Sequence, residues 1–274
     1  MRKLLKNYLS VTGLIIIMIF FLAQALAPSI APYDPTMMEP GNLLAPPTSH
    51  NPLGTDGYGR DIMSRLLYGG RVSFVVSILS TLVALLFGTA TGLLAGFFGG
   101  WVDTVLMRIM DIILAFPALL LAICIMAVLG QSNLNIVLAI GVVYIPQFAR
   151  LTRGSVLAVR DLEFVEAVRA LGARSPRIIV RHIVPNILPS LLVQVSLTIS
   201  LAVLYESALS FLGLGAQPPT PSWGNMLSES RRYMELAPWT AVAPGAAIML
   251  VVLGFNLLGD GLRDVLDPRL RGRI

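Results

Sequence analysis

Six long apolar stretches constrain the fold of this chain more than any other feature of its sequence. A helix needs about 20 apolar residues to cross the hydrocarbon layer of a membrane, and each stretch is about that long. Charged residues make up only 13% of the chain, against about a quarter in soluble domains. The sequence therefore predicts an all-α membrane protein with about six transmembrane helices, near residues 9–31, 72–99, 104–129, 134–152, 188–212 and 238–259.

The positions of the basic residues indicate how these helices are oriented. An even number of spans places both termini on one side of the membrane. Fifteen of the 20 Lys and Arg residues then fall on that side, in the termini, in a long central loop and at Arg108 and Arg150. Because basic residues near helix ends favour the cytoplasm, both termini and the central loop are predicted to be cytoplasmic. This topology accounts for the net charge of +5, so a nucleic acid is not expected as a partner.

The central loop, residues 153–187, has a pattern of its own. A polar stripe on a short helix is predicted by three residues at three-residue spacing, Glu163, Glu166 and Arg169. The apolar side of that helix is formed by Phe164, Ala167, Val168 and Leu171. Gly172 can end the helix in a left-handed turn, Ser175 can cap a second helix, and Pro176 suits its first position. The loop is therefore predicted to present two short helices, joined by a bend, to a cytoplasmic protein.

This loop resembles the Glu-Ala-Ala loop in the permeases of bacterial ABC importers. Its frame is matched by Glu166-Ala-Val168, Gly172 and Pro185, although Val168 replaces the second Ala and His182 stands where many members carry Ile. Further segments, between about residue 50 and residue 268, resemble the C-type permease subunit of dipeptide, oligopeptide and nickel importers: Asn51–Asp61, Leu94–Gly100, Leu209–Gly215, Pro218–Asn225 and Phe255–Arg263. The resemblance implies the type I ABC importer permease fold.

The resemblance also implies partners. A second homologous permease subunit would complete the translocation path, and one or two ATP-binding subunits would bind ATP and Mg. An extracellular or periplasmic binding protein would deliver the substrate, and the chain would lie in the bilayer of the inner or plasma membrane of a bacterial cell. The residues implied in ATPase coupling are Glu163, Glu166, Ala167, Arg169, Gly172, Ser175, His182 and Pro185.

The energy for transport is expected to come from those partners. The chain has no Gly-x-x-x-x-Gly-Lys-Ser/Thr sequence and cannot hold ATP by that route, so we expect neither an enzyme nor a cofactor site. His50 and His182 are too far apart to suggest a metal site. The single cysteine, Cys124, excludes an intrachain disulfide and is expected to be a packed apolar residue.

The same resemblance divides the chain and suggests its substrate. Residues 1–71 are expected to form an uncleaved anchor helix and an external segment, residues 72–262 the permease domain, and residues 263–274 a cytoplasmic tail. The predicted substrate is a di- or oligopeptide, and a nickel chelate or a glutathione-like molecule is the alternative. A self-sufficient secondary transporter is the alternative of another class, but such proteins usually show internal repeats, which this sequence does not.

Two intramembrane polar positions are candidates for the translocation path. Glu206 lies within the fifth apolar stretch, where an acid either faces a watery path or forms a structural hydrogen bond. Gln194 lies three turns away on the same helix and allows a polar path. Asp111 follows Arg108 by three residues and is expected to pair with it. In the glycine-rich run of residues 88–100, Gly88, Gly92 and Gly96 are four residues apart, a spacing that permits close helix packing in lipid.

The external segments contain a second group of candidates. Many prolines between residues 28 and 70 prevent a long helix there, and Pro218–Trp223 has the same character. These stretches are either rigid connectors, with ion pairs among their charged residues, or gate and docking elements for a binding protein. The candidate residues are Asp56, Arg60, Asp61 and Trp223.

Overall fold

The computed structural model describes residues 7–266, and this part of the chain is all-helical, with an isolated bridge between Thr55 and Asp61 as its sole β-type pairing. Its helices are α1 Tyr8–Ala25, α2 Ala27–Ile30, α3 Ile62–Phe98, α4 Gly100–Leu114, α5 Ala118–Leu129, α6 Asn133–Arg160, α7 Glu163–Ala170, α8 Ser175–Ile178, α9 Val184–Phe211, α10 Trp223–Ser230 and α11 Trp239–Leu266. A π-helical turn, Ile179–Ile183, joins α8 to α9. The basic residues of the amino end, and those of the predicted tail 263–274 other than Arg263, lie outside the described residues.

Five helices are long and apolar enough to cross a membrane. They are α1, α3, α6, α11 and the continuous run Ser175–Phe211, which contains α8 and α9. The pair α4 and α5 provides a sixth crossing if the two are taken together. The chain is thus a multi-pass membrane protein, and the prediction of an all-α fold with about six spans is confirmed.

The third predicted span, residues 104–129, is wrong as a single helix. α4 ends at Leu114, α5 begins at Ala118, and the two are bent by 90°. Pro117 explains the break, because proline has no backbone N–H to donate and disfavours helical geometry in the residue before it. The prediction counted apolar residues over 104–129 and took no account of this proline.

The first helix of the main bundle, α3, starts at Ile62 instead of residue 72. Asp61 caps it: its carboxylate accepts a hydrogen bond from the backbone N–H of Ser64 at 2.7 Å. The first turns contain Arg65 and Arg71, which lower the hydropathy and hid this part of the helix from the apolar count.

Close packing of α3 against α6 forms the largest interface between two helices. Three glycines of α3 face α6, and each leaves no room for a side chain. A Cβ atom added at Gly88 would lie 2.5 Å from Cβ of Phe148, and one added at Gly96 would lie 2.8 Å from Cβ of Val156. The predicted packing role of these glycines is confirmed. The other long helices surround this pair: α9 contacts α3, α6, α10 and α11, and α11 also packs on α1.

Enlarging a glycine in this interface should destabilise the fold. A Cβ atom at Gly92 would lie 2.6 Å from Cβ of Thr152, so we expect Gly92→Ala to cost about 1–3 kcal/mol by overpacking. Gly154, on α6, has open space around its position within the described structure, so Gly154→Ala is the matched control and should not destabilise. Thermal unfolding of the purified protein in detergent measures both. Equal melting temperatures for the two variants would contradict the packing role.

Candidate functional site

The central loop connects two long membrane helices through α7. α6 ends at Arg160, α7 follows at Glu163, and the chain returns to the membrane through α8, the π turn and α9. Glu163 and Glu166 lie in the first turn of α7 and Arg169 in its last, where each charge has the sign that the helix dipole favours. Two short helices joined by a bend were predicted here, and the structure shows them, with α8 continuing into α9.

α7 has one anchored side and one open side. Val165 is fully buried, and Ile178 and Ile183 of the returning segment are also buried, so these three attach the loop to the helix bundle. Of the residues predicted to form the apolar side of this helix, Val168 is half-buried and packs against the core. Leu171 is 88% exposed and Phe164 is 41% exposed. Glu166, Ala167 and Arg169 are exposed as well, so the open side of α7 is a mixed apolar and charged surface.

The end of α7 is fixed by backbone geometry. Gly172 has a φ angle of +81°, a conformation that residues with a Cβ atom rarely adopt. Its N–H donates to the carbonyl of Arg169, and the N–H of Ala173 donates to the carbonyl of Val168, which together form a Schellman motif. The predicted left-handed stop at Gly172 is confirmed. Ser175 is not the cap of α8: it is the first helical residue, and Arg174 occupies the N-cap position.

The remaining candidates of the loop lie on the segment that re-enters the membrane. His182 is half-buried within the π turn, and Pro185 is exposed in the first turn of α9. Proline cannot donate to the carbonyl four residues earlier, so the wider π turn is found where the regular helical bond would be missing. Asn186 donates to the carbonyl of His182 at 2.6 Å.

A buried ion-pair network joins the external segment to α10. Arg60 contacts the carboxylates of Asp56 at 2.7 Å and Glu229 at 2.6 Å. Arg65 contacts the same two acids at 3.4 and 3.2 Å. The two arginines are 3% and 2% exposed. Of the two interpretations of this segment, connectors held by ion pairs are what the structure shows. The sequence did not single out Glu229.

The external candidates are buried and cannot contact a docked protein directly in this conformation. Asp61 is occupied as the cap of α3. Trp223 is fully buried; it donates to the carbonyl of Leu66 at 3.0 Å and packs edge-on against Phe74. Its ring belongs to the core of the described structure. A gating role for these residues stays a prediction.

Glu206 does not face an open path in this conformation. Its side chain is fully buried within the chain and accepts hydrogen bonds from the hydroxyls of Ser210 at 2.8 Å and Ser207 at 3.4 Å. Gly224 of α10 packs against the carbonyl of Ser207. The structure therefore agrees with the structural hydrogen bond and does not support a path-lining position for Glu206.

Charged and polar residues that the sequence did not pair meet at the other end of the bundle. Asp111 pairs with Arg150 at 2.7 Å and not, as predicted, with Arg108. Arg153 holds Asp103 with two hydrogen bonds of 2.5 and 2.6 Å. These residues line an open cavity of about 450 Å³ between α4 and α6. These pairs could not be predicted from spacing along the chain, because each joins residues of two different helices.

The polar position on α9 also has a partner on α6. Gln194 donates to Gln147 at 3.4 Å and to Thr198 at 3.2 Å. A second correction concerns Cys124, whose side chain is exposed on α5 instead of packed within the chain.

Comparison with known proteins identifies the class. Residues 88–272 match the family model described as "Binding-protein-dependent transport system inner membrane component". Residues 1–47 match the "N-terminal TM domain of oligopeptide transport permease C". The chain belongs to the binding-protein-dependent transport family, as a permease of the oligopeptide type.

Characterised relatives resemble the chain along its length. The chain is 48% identical to the "Dipeptide transport system permease protein DppC" of Alkalihalophilus pseudofirmus over 98% of this chain and 89% of that protein. It is 44% identical to the "Glutathione transport system permease protein GsiD" of Pectobacterium atrosepticum, over 98% and 90%.

Solved structures of ABC importers share the fold. A structure of the MetNI methionine ABC transporter in an inward-facing conformation matches with a TM-score of 0.58 at 19% identity, covering 75% of this chain and 98% of that one. An amino acid ABC transporter matches with a TM-score of 0.55 at 14% identity, covering 72% and 91%. The predicted ABC importer permease fold is thereby confirmed.

Two substitutions at Glu206 separate its structural role from a role in transport. Gln can still accept from Ser210, so we expect Glu206→Gln to assemble and transport at close to the parental level. Leu leaves the serine hydroxyl without its partner in an apolar setting, and Glu206→Leu should destabilise the protein by about 1–3 kcal/mol. Uptake at matched expression and thermal unfolding measure the two effects. If the Gln variant assembled normally but its uptake were abolished, the result would support a path-lining role for Glu206 and contradict the structural one.

Proposed function

We propose that this chain is one of the two transmembrane subunits of an ATP-driven importer of short peptides. The observation that carries the proposal is α7, an exposed helix held rigidly between two membrane helices and matching the Glu-Ala-Ala frame. The relative named as a dipeptide permease, at 48% identity, supports peptides as the substrate. The homologous second subunit would enclose the path together with this chain.

Coupling to ATP hydrolysis would be mechanical. The ATP-binding subunits hold ATP and Mg, and their closure displaces α7. Because α7 follows α6 after two residues and is tied to α9 through the Gly172 turn, both helices move with it. The Arg153–Asp103 pair passes the displacement of α6 on to α4. This chain performs no covalent step. Its candidate coupling residues, from Glu163 to Pro185, would contact the ATP-binding subunits and transmit their movement.

The complex would lie in a bacterial plasma membrane with α7 and both termini on the cytoplasmic side. The excess of basic residues on that side supports this orientation. The external segment and α10 would then face the substrate-binding protein. They would present their outer surface to it, since the side chains of Arg60 and Trp223 are buried.

A glutathione-like tripeptide is the second candidate substrate. It is favoured by the 44% identity to a permease named for glutathione transport. Uptake of a dipeptide and of glutathione by the assembled transporter, each competed with the other, distinguishes the two.

A charge reversal on α7 tests the coupling surface. Glu166 and Asp161 are both exposed acids of the same loop, but only Glu166 belongs to α7. We expect Glu166→Lys to reduce co-purification of the ATP-binding subunits and peptide uptake at least tenfold, because the reversed charge lies in the docking surface. Asp161→Lys makes the same change in charge outside α7 and should leave both within about twofold. Parental association and uptake in Glu166→Lys would refute the docking assignment.

Cysteine accessibility tests the orientation. In a Cys124→Ser background, Ser49→Cys and Arg174→Cys place single thiols at exposed positions at opposite ends of the bundle. A membrane-impermeant thiol reagent should modify Ser49→Cys in intact cells, and Arg174→Cys only after the membrane is opened. Modification of Arg174→Cys in intact cells would reverse the topology.

A further inference from the structure

Polar side chains lie on the open side of α6 at positions where a lipid-facing helix would carry apolar ones. Gln147 and Arg150 are both exposed and lie one helical turn apart. Gln194 of α9 is half-buried and reaches across to Gln147. Asp111 of α4 reaches Arg150 from the other side. Together with Arg108, which lines the same cavity as Asp111 and Arg150, these residues form what we call the inner polar strip.

The glutamine pair of the inner polar strip, Gln147 and Gln194, is poorly suited to lipid, and Arg108, Asp111 and Arg150 continue the strip towards the predicted cytoplasmic end. Polar and charged groups within membrane-spanning helices face either protein or a water-filled cavity, because hydrocarbon offers them no hydrogen bonds. The strip is not covered by this chain, since Gln147 and Arg150 are exposed. The broken crossing supports the same conclusion independently. Residues 115–117, between α4 and α5, are all exposed, and non-helical backbone at membrane depth is tolerated only against protein or water.

The cavity beside the strip is open in this chain. It has a volume of about 450 Å³, which lies within the range of small-molecule sites. Asp103 and Asp111 are already neutralised by Arg153 and Arg150, so the lining does not need opposite charges from another subunit.

We propose that the inner polar strip lines the cytoplasmic half of the translocation path, and that it suits hydrated, peptide-like molecules without a large net charge. This inference rests on the proposed function, because the second subunit must close the other side of the path. The side-chain amides of Gln147 and Gln194 can each donate and accept, as the backbone of a peptide requires. The paired charges leave Arg108 as the member of the strip without an ion pair among the described residues. Such weak contacts let a substrate leave as well as enter.

Thiol accessibility in the assembled complex tests the strip. Gln147→Cys is compared with Leu86→Cys, both in a Cys124→Ser background. Leu86 is 66% exposed and lies on α3 at a similar depth, since the nearby Gly88 packs against Phe148. In inside-out vesicles, a charged thiol reagent that cannot cross the membrane should modify Gln147→Cys at least tenfold faster than Leu86→Cys. An excess of dipeptide should slow that modification. Gln194→Cys repeats the test from the facing helix.

Several outcomes would overturn the inference. Equal, slow modification of Gln147→Cys and Leu86→Cys would place the strip against lipid or tightly packed protein. Disulfide cross-linking of Gln147→Cys to a cysteine in the second permease subunit, without modification by the reagent, would make the strip a subunit contact. Co-purification of the ATP-binding subunits with each variant distinguishes a failure of the proposed function from a failure of this inference. If the complex forms and the thiols stay unmodified, the strip assignment alone fails; if the parent chain forms no complex, both fail.

Discussion

A polar group buried in a protein core or in a membrane has no water to bind, and this constraint explains several specific contacts in the structure. Glu206 is satisfied by serine hydroxyls of its own helix. Arg65, near the start of α3, is neutralised by Asp56 and Glu229. Removing one partner from such a buried pair typically costs about 3–5 kcal/mol, so these contacts fix where the external segment and α10 can lie. The polar groups that stay exposed, in the inner polar strip and at the α4–α5 break, mark where we propose that the chain meets water or another subunit.

Much of the fold could be predicted from the sequence, because the length of an apolar run and the spacing of glycines are local properties. The spans and the packing role of Gly88 were recovered in this way, and so was the left-handed stop at Gly172. The errors came from effects that are not local. A single proline divided an apolar run that was otherwise long enough to span, and the first turns of α3 were missed because Arg65 finds its partner on α10, far along the chain.

The candidate site shows the same division. The shape of the central loop could be predicted because its turn residues and its surface lie within one short segment. The proposed translocation path could be predicted only in part. Gln194 was a candidate from its place in the fifth apolar stretch, and it belongs to the inner polar strip. Glu206 was the other candidate, as the acid in that stretch, but its side chain is fully buried. Gln147 and Asp111 are unremarkable in sequence, and they become meaningful only when α4, α6 and α9 bring them to one open face. For a polar residue in a membrane segment, its exposure in the folded chain is therefore more informative about the path than its contrast with the apolar sequence around it.

The two ends of the protein are connected by one helix. α3 carries the ion-pair network near Arg65 at its outer end and packs through Gly96 on α6 at its inner end, a separation of about 45 Å at the rise of an α-helix. α6 in turn leads into α7. α10 is attached to Arg65 through Glu229 and to α9 near Glu206 through Gly224. Under the proposed mechanism, a displacement of α7 would pass through tightly packed helices, whose interfaces shift between discrete arrangements and do not deform continuously. The buried ion pairs keep the attachment of the external segment stiff, so the movement would reach the outer end of the bundle instead of being lost in a flexible connector.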